Sequence, residues 1–276
     1  MKTLDGKVVA ITGAASGMGR ALAIHCASLG SRLALCDIDE AGVNETAKRI
    51  AANGAEVDAI RVDVADRSAI HDWAKHVDAR FDGTDVIVNN AGVSLSHSIE
   101  AMKDEDFEWL FNINFWGVVN GCKAFLPQLR KRPEGHVVNL SSVFGIIGVP
   151  TQAAYCAAKF AVRGYTESLR QELSGTTVHV TCVHPGGIKT EIARRGRHYE
   201  DAFGAATDTA AAAANFERLA LTTAEDAARA IAGAILGNKP RLLIGADAVA
   251  IDALARMLPA SYDGVVRGAM RVGARR

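Results

Sequence analysis

Two hydrophobic rhythms alternate along the first third of the chain. Short apolar runs rich in β-branched residues occupy 7–12, 32–36, 56–62 and 85–89, and stretches with helical spacing follow Gly19 and fill 40–53 and 66–81. Such apolar runs read as buried strands and the periodic stretches between them as amphipathic helices. Repeated strand–helix units join parallel strands and place helices on both faces of the sheet. Further strand-like runs at 136–140, 178–183 and 241–244 continue the pattern. The expected fold class is therefore α/β, a doubly wound parallel sheet of about seven strands.

Two expected helices carry more than a core-facing stripe. The first, over 104–129, is apolar almost all round, from Phe107 and Leu110 through Phe115, Trp116 and Val119 to Phe125 and Leu126. A helix of that kind is covered on every side, and the polar Asn114 inside it needs a hydrogen-bond partner, from protein or water. The second, over 152–174, puts Tyr155, Lys159, Val162, Thr166, Leu169 and Leu173 on one stripe and Ala157, Ala161, Gly164 and Ser168 opposite. That opposite face is small and nearly uncharged, which predicts close packing by a second subunit or by another segment of the same chain. A helix over 223–236 has Glu225 and Asp226 in its first turn, where the helix dipole favours them. Beyond the last strand, Ile251, Leu254 and Leu258, then Tyr262, Val265, Val266, Ala269 and Met270, again have helical spacing.

Composition narrows the class. A chain of 276 residues, 49% hydrophobic and 22% charged, buries a large core as an ordinary globular protein. Lysine plus arginine and aspartate plus glutamate are both 31, so no charge excess argues for nucleic acid. The five cysteines are scattered without a Cys-x-x-Cys spacing, which suggests core thiols in a reducing compartment and no metal site. The first seven residues carry charges where a secretory signal needs an apolar run, and no apolar stretch reaches the roughly 18 residues of a membrane helix. A cytoplasmic protein is expected.

The chemistry sits in four places. Gly13-Ala14-Ala15-Ser16-Gly17-Met18-Gly19 follows the first strand and opens a helix. Glycines there let the backbone turn tightly against a pyrophosphate, whose charge the helix N-terminus favours. The spacing differs from the Gly-x-Gly-x-x-Gly dinucleotide fingerprint, and a plain glycine turn is the alternative. The second strand ends in Asp37, where a carboxylate meets ribose hydroxyls and repels a 2′-phosphate, so NAD is expected over NADP; the alternative is an aspartate that only begins a turn. Asp63 and Val64 end the third strand within reach of an adenine edge, a place where turn and cap residues also occur. Asn89-Asn90-Ala91-Gly92 ends the fourth, with Asn89 read as a tie between strands. Tyr155 and Lys159, four apart on one helix face, form a pair in which a nearby cation favours the phenolate. Such a phenol does acid–base work near neutrality.

The ordered set Thr12-Gly13-x-x-x-Gly17-x-Gly19, Asn89-Asn90-Ala91-Gly92, Asn114, Ser142, Tyr155-x-x-x-Lys159 and Pro185-Gly186-x-Ile188-x-Thr190 resembles the short-chain dehydrogenase/reductase family. The resemblance covers roughly residues 5 to 245 and implies a single Rossmann-type domain, here 1–276, with a substrate-binding lid at 190–222. The family's catalytic serine lies thirteen residues before the tyrosine, which selects Ser142 over Ser141. The resemblance further implies that Tyr155 exchanges a proton with the substrate and that Ser142 donates to its oxygen. Lys159 then binds the nicotinamide ribose, and Asn114 holds a water that relays protons. Ile188 and Thr190 reach the carboxamide side, and Ser16, Met18, Asn90, Ala91 and Gly92 complete the NAD site with the glycines, Pro185 and Gly186.

The substrate side is less determined. Val143, Phe144, Ile146, Ile147, Val149 and Pro150 are apolar and suggest a hydrophobic secondary alcohol or ketone. An NADPH-dependent 3-oxoacyl thioester reductase is the alternative enzyme, and a non-catalytic dinucleotide sensor or scaffold is the alternative class. Arg194, Arg195, Arg197 and His198 in the lid either face an anionic substrate or form a solvated face, the second being favoured. A homodimer through two helices of each subunit is expected. The extension at 246–276 either covers the surface used for tetramers or helps close the substrate pocket. Arg267, Arg271, Arg275 and Arg276 read as a solvated end in preference to a contact with an anionic membrane.

Overall fold

The computed structural model describes residues 1–274, and Arg275 and Arg276 lie outside the described residues. In chain order β1 (Val8–Thr12), α1 (Gly17–Ser28), β2 (Arg32–Asp37), α2 (Glu40–Ala51), β3 (Val57–Arg61), α3 (Arg67–Phe81) and β4 (Val86–Asn89) form the first half. Then follow β5 (Leu95–Ser96), α4 (Asp104–Phe111), α5 (Gly117–Leu129), β6 (Gly135–Leu140), α6 (Ala153–Glu172) and β7 (Val178–Pro185). The chain continues with β8 (Arg197–His198), α7 (Thr209–Leu219), α8 (Ala224–Leu236), β9 (Arg241–Ile244), α9 (Ala246–Met257) and α10 (Tyr262–Ala274). Seven strands make one parallel sheet in the order β3-β2-β1-β4-β6-β7-β9. The expected doubly wound Rossmann-type sheet is thus present. The strand order reverses between β1 and β4, and the crevice beyond the C-terminal ends there is where ligands bind in open α/β sheets.

Each face of the sheet has its own core. Leu22, Ala23 and Cys26 of α1 pack with Ala227, Ala228 and Ile231 of α8 over one face. On the other, Trp73 of α3 meets Phe125 of α5 edge-on at 4.9 Å, with Val162 and Leu169 of α6 alongside. The helix starts follow their capping chemistry: Asp39 accepts from Gly42 N at 3.0 Å, and Thr223 from Asp226 N at 3.1 Å. No described helix is long and apolar enough to cross a membrane.

Two expectations change. The helix over 104–129 is three pieces, because a π-helical turn at Asn112–Trp116 separates α4 from α5 and sends the Gly117 N–H back to Asn112 O. Nor is it covered on every side: α5 is almost wholly buried, whereas Phe107 and Trp116 remain 36% and 42% exposed. Apolar periodicity reports a preference for burial but not which neighbour supplies it. Segment 190–222 contains α7 and β8, and β8 pairs in parallel with β5 as a second, two-stranded sheet.

Candidate active site

The glycine loop is a backbone crossing point. Gly13 and Gly17 have φ of +69° and +52°, which residues with a Cβ adopt poorly. A Cβ on Gly13 would lie 2.7 Å from Ala91 Cα, and one on Gly17 would lie 3.1 Å from Thr190 Cβ. The loop after β1, the turn after β4 and the segment after β7 therefore meet, although Gly13, Ala91 and Thr190 are far apart in sequence. Thr12 Oγ1 accepts from both Asn90 N and Ala91 N at 3.0 Å, and the Asn90 side-chain amide donates back to Thr12 O and Gly13 O. Asn90 thus shapes the loop with its side chain. Ser16 is the N-cap of α1 and makes no side-chain cap bond, and Met18 packs partly into the core beside it. A glycine turn whose packing leaves no room for side chains, ending on a helix N-terminus, fits a dinucleotide pyrophosphate.

Asp37 is buried at the end of β2, where Oδ2 accepts from Ala15 N at 2.9 Å and Oδ1 from Asp39 N at 3.0 Å. It locks the glycine loop to the strand end and begins the turn into α2 as well. Asp63 turns its carboxylate onto Ala65 N at 2.9 Å, and Val64 O accepts from Asn120. The Asp63 side chain thus takes part in the turn after β3.

On the other side of the crevice, Ser142, Tyr155 and Lys159 converge. Ser142 Oγ accepts from Phe144 N at 3.1 Å, which leaves its proton to donate, while Ser141 Oγ is committed to Lys159 O at 2.9 Å. Phe144 stands perpendicular to the Tyr155 ring, with centroids 6.0 Å apart. Lys159 is buried; its ammonium donates to Leu140 O at 2.9 Å and sits 5.6 Å from the centre of the Tyr155 ring. Burial pushes the Tyr155 phenol up to about 12, with hydrogen bonding to Ser142 acting the other way. Burial likewise pulls Lys159 down to about 8. In these side chains alone, desolvation opposes charge on both partners. Asn114, buried, has the hydrogen-bond partner that its polarity requires. Its amide is spent on Val93, accepting from Val93 N and donating to Val93 O, both at 2.8 Å. Gly92 lies between the two, since a Cβ on it would be 3.2 Å from Asn114 Oδ1 and 3.6 Å from Lys159 Nζ.

Pro185, Gly186, Ile188 and Thr190 follow β7 along the same end of the sheet. Gly186 N donates to Ile244 O at 2.9 Å, and Ile188 is buried and bridges Thr222. Two supports lie behind the site, the first of them without a signal in the sequence. His184, fully buried, gives its Nδ1 proton to Ser142 O at 3.1 Å, and burial holds its imidazole down to about 4 and neutral. Beneath the site, Asn89 Nδ2 donates to Asn139 Oδ1 at 2.8 Å and Asn139 Nδ2 to Thr166 Oγ1 at 3.0 Å, tying β4, β6 and α6 together. The tie between strands expected of Asn89 is thus present, with Asn139 and Thr166 as its partners.

The basic cluster after Thr190 is largely paired. Arg194 meets Glu191 and Glu217, Arg195 meets Asp39 at 3.1 Å, and Arg197 meets Asp106 while stacking on Trp109 at 3.9 Å. His198 sits between Ser94 and Ser96. A cleft of about 320 Å³ runs between α1 and this segment, lined among others by Gly17, Arg20, Lys189, Thr190 and Glu217.

Residues 7–201 match the family model described as short chain dehydrogenase. SadH of Mycobacterium tuberculosis, named as an oxidoreductase, is 44% identical over 96% of each chain. Human estradiol 17-beta-dehydrogenase 11 is 38% identical over 68% of this chain and 64% of its own. Among solved structures, a short chain dehydrogenase/reductase from Burkholderia phymatum in complex with NAD superposes with a TM-score of 0.85 at 31% identity, covering 94% of this chain and 95% of that one.

Proposed function

The chain belongs to the short-chain dehydrogenase family, and on that premise we propose that it moves a hydride between NAD(H) and an apolar secondary alcohol or ketone. The observation that carries this reading is the convergence of Ser142, Tyr155 and Lys159 at the sheet end where Gly13, Ala91 and Thr190 also meet. When bound, the nicotinamide supplies the carbon that gives or takes the hydride. Tyr155 gives its proton to a carbonyl oxygen during reduction and takes the hydroxyl proton during oxidation. Ser142, with its Oγ already accepting from Phe144 N, points its proton at the oxygen where charge develops. Lys159 keeps its ammonium beside the tyrosine ring, and the π-turn at Asn114 offers a backbone path for the proton to leave.

Asp37 supports NAD over NADP. Each of its oxygens accepts one amide and retains capacity for a ribose hydroxyl, while its charge opposes a 2′-phosphate. Arg20 and Arg195 stand near, but Arg20 is tied to Thr46, Ala15 O and Gly42 O, and Arg195 to Asp39. The wall of Phe144, Ile146, Ile147 and Val149 favours an apolar substrate, the chemistry that the name of the human relative also carries. Segment 190–222 acts as the lid in this reading, and its paired arginines favour an uncharged substrate over an anionic acyl carrier. The compartment proposed is the cytoplasm, where the five buried, free thiols stay reduced.

The test is turnover of 2-decanone, acetophenone, estrone and acetoacetyl-CoA, each with NADH and with NADPH. One of the apolar ketones is expected to be reduced with a higher kcat/KM for NADH. Higher efficiency with NADPH, or with the thioester, would overturn the reading, as would no turnover at all.

The same helix that carries Tyr155 points a bare face outward, and a homodimer through that face is part of the proposal. Ala157, Gly164 and Ser168 are exposed, and Phe160 and Trp116 are each 42% exposed. Exposed aromatics beside small residues suit a self-complementary contact. A Cβ added at Gly164 meets nothing within 4 Å, so a bulky residue there does not strain the subunit. Gly164→Trp is expected to turn a dimer into a monomer by light scattering at micromolar concentration, with the circular dichroism unchanged. A wild type already monomeric refutes the contact.

A further inference from the structure

The two helices after β9 reach back to the active site at two points. Asp247, the second residue of α9, accepts from Gly187 N through Oδ2 at 2.7 Å. Its carboxylate packs so closely on Gly186 that a Cβ there would overlap Asp247 Cγ. Gly186 and Gly187 begin the segment that runs through Ile188 to Thr190 against the glycine loop. At the other end, Tyr262 opens α10, and its hydroxyl accepts from Gly148 N at 3.0 Å. Gly148 lies in the apolar stretch that follows Ser142. Tyr262 and Val266 pack there against the cluster of Ile146, Ile147 and Val149.

What lies between the two contacts is fixed. Asp252 of α9, buried, takes both terminal nitrogens of Arg241 at 2.8 and 2.6 Å and Arg256 Nε at 3.0 Å, and those cations hold its carboxyl far below the usual range. Arg241 is the first residue of β9, so the bidentate pair pins α9 to the edge of the main sheet. Ile251 and Ala255 complete the apolar side of α9. A helix anchored to the sheet, with one polar tie to a backbone amide on each side of the crevice, has the mechanics of a strut.

We propose that Asp247 and Tyr262 are positioning residues: Asp247 holds the cofactor-side segment 185–190 and Tyr262 holds the substrate-side wall 143–150, with α9 setting the two against each other. The assignment of the two sides rests on the dehydrogenase reading above. Both residues act through backbone amides and touch none of the groups that exchange protons. Each tie therefore has its own signature. Losing the Asp247 bond loosens the cofactor side, whereas losing the Tyr262 hydroxyl loosens the wall alone.

Three variants of the full chain separate these effects: Asp247→Ala, Asp247→Asn, which keeps an acceptor oxygen, and Tyr262→Phe, which keeps the ring. NADH affinity is read at equilibrium from the fluorescence of bound NADH, KM and kcat with 2-decanone and acetophenone, and amide hydrogen exchange over 143–150 and 185–190. Asp247→Ala is expected to weaken NADH about tenfold and to speed exchange over 185–190, with Asp247→Asn within about twofold of wild type, because one charged-acceptor hydrogen bond is at stake. Tyr262→Phe is expected to leave NADH affinity within about twofold, to speed exchange at 143–150, and to raise the ketone KM about fivefold with little change in kcat. Asn no better than Ala at 247, or a Tyr262 variant that shifts NADH affinity as much as KM, would falsify the strut. A wild type that reduces no ketone removes the enzymatic reading but not this one. Exchange needs neither cofactor nor substrate, and unchanged exchange in both segments overturns the strut by itself.

Discussion

Tyr155→Phe is expected to lower kcat for ketone reduction by about a thousandfold, within the range that a positioned acid supplies, and to leave NADH affinity within about twofold. The substitution removes one oxygen and keeps the ring that faces Phe144 and the Lys159 ammonium, so the packing that holds the site survives. A loss of activity without a loss of binding separates a chemical role from a structural one. Single-turnover loss of NADH absorbance checks it, and a variant within tenfold of wild type would remove Tyr155 from the chemistry.

The pH dependence of the wild type follows from the same two groups. With the phenol pushed up to about 12, Tyr155 carries its proton throughout the physiological range and is poised as an acid. Lys159, pulled down to about 8, holds the cation that stabilises the departing phenolate only below that pH. For reduction, kcat/KM is therefore expected to be flat below about 8 and to fall as pH rises through it, because the cation is lost before the acid is. Oxidation needs Tyr155 without its proton beside a charged Lys159, and is expected to rise with pH up to about 8 and to level off above it. A reduction profile that climbs with pH contradicts this ordering.

What the sequence reveals and what it withholds divide along the distance over which each signal acts. The Tyr155–Lys159 pair, the glycine loop and Asp37 at a strand end are local patterns, and the structure places all of them at one end of the sheet. The direction in which the phenol is shifted is not local. Four-residue spacing puts an ammonium near a ring but says nothing about the burial that outweighs it. Asn114 illustrates the same limit: its polarity inside an apolar helix demands a partner, and that partner, the backbone of Val93, lies outside the helix altogether. The π-turn beside it has no composition signal of its own. His184 reads as an ordinary residue before Pro185, and only the pairing of β6 with β7 brings it to Ser142. The ties of Asp247 and Tyr262 are longer still, spanning sixty residues and 114 residues of chain.

Gly19→Ala is the mildest substitution in the chain with one of the largest expected consequences. Gly19 is the third residue of α1, where a helix ordinarily gains from alanine, since Gly is disfavoured there by about 1 kcal/mol. Here the gain is overridden. The added Cβ would come within van der Waals overlap of Gly13 O and 2.6 Å from Asn90 Nδ2, the amide that straps the glycine loop to the turn after β4. Neither neighbour is the free end of a flexible chain: one is backbone, and the other is held by two carbonyls. The loop must move away from the helix N-terminus to admit the methyl group, at a cost of about 1–3 kcal/mol for an overpacked site. Most of that strain is relieved by displacing the amides that face the pyrophosphate, so it falls on binding. NADH affinity is expected to drop by about tenfold to a hundredfold, as that energy converts. Isothermal titration with NADH measures it. Asn90→Ala in the same background, which removes one of the two obstructing groups, is expected to recover less than half of the lost binding energy, because the Gly13 carbonyl remains in the way. Unchanged affinity in Gly19→Ala would mean that the loop is not the cofactor cradle.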